Sequence, residues 1–113
     1  MDTQCVVVRS GERPALYETV QVSSGTATIS SATFDFLDNN GVVLASGVAA
    51  TGFDSAPSAA PRVWYQFDAA APPGGGAALM AGNYRLKWSI PVAVSGDTLT
   101  RIERPSILVV IVN

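Results

Sequence analysis

The chain has 113 residues, nine of them acidic and seven basic, for a net charge of −2, with no histidine and one cysteine. That is the size of one domain with a core of its own. Without histidine the Ser-His-Asp and Cys-His nucleophilic sites are excluded; one cysteine excludes an internal disulfide and cysteine-rich zinc sites; singly scattered Arg and Lys make no phosphate-tracking stripe. Hydrophobic residues make up 48% and charged residues 14%, where roughly a quarter charged is usual. Two readings of so sparse a charge stand together. Either much of the surface is covered in an oligomer, fibre or particle, or a GC-rich genome has inflated Ala, Gly and Val.

Taken in chain order, Met1 to Cys5 lacks the basic region and cleavage site of a signal peptide, so the sequence predicts a chain not exported by that route. A first strand is expected over Gln4 to Arg9, with Cys5 beside Val6-Val7-Val8 as a small buried hydrophobe. Ser10 to Pro14 breaks it, and a second strand follows from Leu16 to Val22. Ser23-Ser24-Gly25 reads as a turn, and Ala27 to Ser31 as a short strand or an extended connection.

The clearest hairpin runs from Ala32 through Asp38, turns at Asn39-Asn40-Gly41 and returns over Val42 to Ser46. Asn-Gly is favoured where both central turn residues need positive φ. Gly47 marks a bulge if the return strand continues to Thr51. Arg62 to Phe67 is a strand with Val63, Tyr65 and Phe67 on one face and Trp64 on the other. Residues 68–81, centred on Pro72-Pro73-Gly74-Gly75-Gly76, hold no helix or ladder and read as a flexible loop: a binding lid or a tolerated insertion.

Gly82 to Ile90 alternates without an error, with Tyr84, Leu86, Trp88 and Ile90 inward and Arg85, Lys87 and Ser89 outward. Val94 to Asp97 turns the chain, Leu99 to Glu103 is a short strand, and Arg104-Pro105 delivers a final strand from Ile107 to Val112. Both faces of that last strand are apolar, where an antiparallel sandwich normally leaves one polar. Its outer side is covered by this chain or by a neighbour. The fold class expected is all-β: a single antiparallel sandwich of about seven to nine strands over residues 1–113, with residues 1–10 as a strand or exchange arm.

Chemistry has few footholds. Asp35, Asp38, Asp54 and Asp68 are the carboxylates available for paired acid–base work, but no spacing brings them together. Asp38-Asn39-Asn40-Gly41 superficially matches part of a calcium loop, without its distal Glu, and turn chemistry explains it. Gly74-Gly75-Gly76 lacks the Lys and Ser/Thr of a phosphate loop. The sequence predicts no enzyme, cofactor or metal, no nucleic-acid partner and no membrane span. The aromatics Tyr17, Trp64, Tyr65, Tyr84 and Trp88 raise a sugar-stacking reading, though Tyr84 and Trp88 fall on a core face. Trp64 is either an anchor for a partner or a side chain covered by the Pro72–Gly76 loop. The candidate interface is Val6, Val8, Trp64, Leu108, Val110 and Val112, with the first strand adding to a neighbour's sheet.

The stretch Ile29 to Val43, then Val63-Trp64-Tyr65, then Ala81 to Trp88, then Arg104-Pro105-Ser106-Ile107, resembles the immunoglobulin-like domains of tailed-bacteriophage virion proteins, such as the N-terminal domain of baseplate upper proteins. The resemblance spans most of the chain from Ser10 and carries no catalytic residues. It implies a structural virion protein that decorates the capsid or joins head and tail, made in the bacterial cytoplasm. Its partners would be other virion proteins and copies of itself. Such baseplate proteins continue into a second domain, so a chain ending at Asn113 would be a free-standing component. The competing expectation is a host-surface glycan- or protein-binding module of a phage tail or baseplate.

Overall fold

The computed structural model describes residues 4–9, 11–22, 25–95 and 100–112. The turns expected at Ser23-Ser24 and Gly96-Asp97, and the strand start at Leu99, lie outside them. The described residues form ten strands: β1 (Gln4–Arg9), β2 (Ala15–Thr19), β3 (Ala27–Ile29), β4 (Thr33–Leu37), β5 (Val43–Ala49), β6 (Gly52–Phe53), β7 (Arg62–Gln66), β8 (Gly82–Val94), β9 (Thr100–Glu103) and β10 (Ser106–Val112).

The larger sheet runs β1-β10-β8-β4-β5, and the smaller β2-β7-β6. They face one another across an apolar core in which Trp88, Phe34, Phe36 and Phe67 are fully buried. Phe34 packs edge-on against Tyr65 at 4.7 Å, and Phe36 meets Phe67 at 6.1 Å, so β4 and β7 interlock through aromatics from opposite sheets. This is the immunoglobulin-like sandwich the sequence predicts. Two features differ from expectation. The two-residue β6, which the sequence did not suggest, brings the count to ten, and β1 pairs with β10 in parallel over six residues, so the larger sheet is mixed.

The strand from Gly82 is longer than its sequence suggested, because Pro91 does not end it. Pro91 lies in the gap between Ser89, the last residue paired to β4, and Val92, the first paired to β3. A missing N–H is tolerated where a strand changes partners. Near the start of β8 the Tyr84 hydroxyl donates to the Met80 carbonyl at 3.0 Å, the tyrosine-corner bond of this architecture.

The hairpin turn also differs. Only Gly41 has positive φ (81°), while Asn39 and Asn40 stay in the ordinary half of the map. Asp38 explains this: its carboxylate accepts from the Asn40 and Val42 amides at 2.8 and 3.0 Å, so the side chain builds the turn. Gly47 sits where the β4–β5 register shifts, and Asp35 fills the bulge by accepting from the Gly47 amide (3.0 Å) and the Ser46 hydroxyl (3.2 Å).

The segment 68–81 is docked on the body. Pro72 and Pro73 are buried, a Cβ on Gly74 would come within 2.7 Å of the Ala45 side chain, and the Leu79 amide donates to the Ala69 carbonyl at 2.8 Å. The loop packs against β5 at Ala45.

Candidate functional site

Side-chain alternation decides what β1 shows to solvent. Arg9 must face water, and residues two and four positions earlier share its face. Cys5 and Val7 therefore point outward; Val7 is 48% exposed and Cys5 is exposed as well. Val8 is 0% exposed, and Val6 packs against the core. Val6 and Val8 are thus corrected from interface to interior, and Cys5 from interior to surface. The run Cys5-Val6-Val7-Val8 is apolar in both registers, so only the parity of Arg9 signals the outer set.

The parallel register sets Cys5 beside Leu108, Val7 beside Val110 and Arg9 beside Val112. Leu108, Val110 and Val112 are each half-buried on the outer face. The five apolar side chains form one continuous stripe over two strands, ending at the free side of β1. It is bounded inside the sheet by β8, where Leu108 faces Arg85 and Ser106 faces Lys87. No described part of the chain pairs with the free side of β1.

Trp64 belongs to another surface. It lies half-buried on the outer face of the smaller sheet, 5.8 Å from Tyr17, whose ring also carries the Arg62 guanidinium at 5.3 Å. Arg62 is held by Asp54 at 3.4 Å. The indole lies over Gly52, where a Cβ would come 2.5 Å from Cζ2. The Pro72–Gly76 loop covers β5 and not Trp64. The six interface candidates therefore separate into an interior pair, an outer trio and a tryptophan on the opposite sheet.

The four aspartates each serve a local structure: Asp35 the bulge, Asp38 its turn, Asp54 the Arg62 guanidinium, and Asp68 the Arg13 guanidinium at 3.1 Å. Glu18 was not singled out by sequence. It points inward from β2, its Oε2 is buried with no hydrogen-bond partner among the described residues, and burial raises its pKa above the ordinary 4.5. It opens on a 240 Å³ cleft whose other wall includes Glu103 and Pro105.

Its position on an edge strand accounts for it. An inward-pointing charge is one of the devices that stop a sheet edge from accepting a foreign strand. β5 has its bulge, β6 is two residues long, β3 three, and β9 carries Arg101 and Glu103. Among the described edges β1 is the longest with no glycine or bulge, and its one charge is at its last residue, whereas β2 carries Glu18 in mid-strand.

An immunoglobulin-like sandwich with one unguarded edge is the class that fold and site define. No family model matches the chain, and no curated protein matches it. Among solved structures it is similar to the CooA pilin subunit from enterotoxigenic Escherichia coli, at 18% identity over 98% of this chain and 92% of that chain, with a TM-score of 0.41. The expected role as a tailed-phage virion protein or phage host-binding module is not borne out: the comparisons turn up no phage protein, and the solved structure they find is a bacterial pilin subunit. At that level of similarity the likeness assigns no family and no role.

Proposed function

We propose that this chain is a non-catalytic assembly domain that holds proteins together by accepting a strand along β1. The observation that carries the reading is the contrast between β1 and the other edges. Unpaired N–H and C=O groups on an unbulged strand with no charge before its last residue are a template for another strand. The stripe of Cys5, Val7, Leu108, Val110 and Val112 lies directly beside that template. An added strand would satisfy the backbone groups while its side chains covered the stripe. Main-chain bonds supply the register-independent part of such affinity, and apolar burial adds about 25 cal/mol per Å² removed from water before association costs are met.

A synthetic strand with the sequence of β1, titrated against the chain, tests this. The unaltered chain binds it, and Val7→Lys, which alters only a half-exposed outer position, loses most of that binding. An unaltered chain that binds no strand, or a Val7→Lys variant that binds equally well, overturns the reading.

A further inference from the structure

The partner at this edge is readable from β1 itself. We propose that the strand accepted by β1 is β1 of a second copy, antiparallel, about a two-fold axis through Val6, so that two large sheets run on as one. The inference rests on the assembly role proposed above.

Directly opposed residues of an antiparallel pair lie on the same face of a sheet. Two identical strands can therefore meet only about an axis through a residue, since an axis between residues would set the outer Cys5 against the inner Val8. That leaves four central positions in β1, Cys5 to Val8. With the axis at Cys5 or at Val8, only three residues of the described strand overlap. With the axis at Val7, the Arg9 guanidinium of each copy is laid on the apolar stripe opposite Cys5 of the other. With the axis at Val6, five residues of the described strand pair, Gln4 to Val8, and all five are uncharged.

The third arrangement sets Cys5 opposite Val7 and Val7 opposite Cys5, with Leu108 and Val110 of each copy flanking them through the parallel register. The stripe meets its own image, as a closed two-fold interface requires. The other end of the sheet is a poorer acceptor, because β5 is bulged where Asp35 holds Ser46 and Gly47. A head-to-tail fibre is therefore disfavoured against a closed pair.

The native cysteine provides the test. Val7→Cys places a thiol directly opposite Cys5 of the other copy, at a separation a disulfide spans. Under oxidation this variant forms a covalent dimer whose linkage, mapped by mass spectrometry, joins position 5 to position 7. The unaltered chain sediments as a dimer without a Cys5–Cys5 bond. Val7→Lys raises its dissociation constant by roughly tenfold or more, the scale of a charge set into an apolar contact. A monomer at every concentration, an open polymer, or linkages joining 5 to 5 or 7 to 7 would each overturn the inference. A monomer that still binds the synthetic strand would leave the assembly reading standing and remove only the second copy as partner.

Discussion

Single side chains settle questions that no residue class settles alone. Gly52 is one: with Trp64 lying across it, even one methyl group has no room. Gly52→Ala is expected to cost about 1–3 kcal/mol by overpacking, read as a lower urea midpoint. Trp64 fluorescence should shift as the indole is lifted, whereas Trp88, 1% exposed in the core, should not respond. Glu18 is the second. Its carboxyl is half-buried and holds its proton more tightly in the folded chain than in the unfolded one. The folded state therefore binds more protons just above pH 4.5. Stability is fully present below that value and falls as pH rises through the folded pKa. Glu18→Gln should match the unaltered chain near pH 4 and exceed it at pH 7 by no more than about 1 kcal/mol, since water still reaches the group. Thermal melts across that range check the sign.

At the scale of elements, legibility depended on whether local pattern left one choice or two. The start of β8 and the face of Trp64 were readable because charged or polar residues alternate with large apolar ones. β1 and β10 were readable as strands, but their outward faces were not. Every residue from Cys5 to Val8 suits either side, and only Arg9 at one end and Ser106 at the other break the tie. The 68–81 loop packs on Ala45 of β5, a contact far along the chain that local pattern does not announce. Edge protection was legible only afterwards, because a bulge or an inward carboxylate acquires that meaning once its strand is known to be an edge. The β5 bulge illustrates this. Asp35→Ala removes both hydrogen bonds that brace it and should cost about 1–2 kcal/mol, with faster hydrogen exchange at the Gly47 amide. If that amide exchanges unchanged, Asp35 does not hold the bulge.

For the whole molecule, the distribution of guarded and unguarded edges carries the functional argument. An isolated sandwich has every reason to blunt all its edges. This one blunts the edges of the smaller sheet with a buried carboxylate and a two-residue strand, and the far edge of the larger sheet with a bulge. β1 is left unbulged and without a charge before Arg9, beside the apolar outer face of β10. The low charge content fits the same picture, because a surface that meets its own image gains nothing from solvated charge.

Residue-resolved amide hydrogen exchange of the associated chain tests this most directly. Apart from Arg9, whose amide donates to the Glu12 carboxylate at 2.7 Å, amides of β1 that point away from β10 have no strand partner among the described residues, so in a dilute monomer they exchange freely. The account predicts that they become as slow as those facing β10 when the chain associates, and that Val7→Lys returns them to the fast rate. Free-side β1 amides that stay fast in a demonstrably associated particle would contradict it, because the contact would then lie elsewhere.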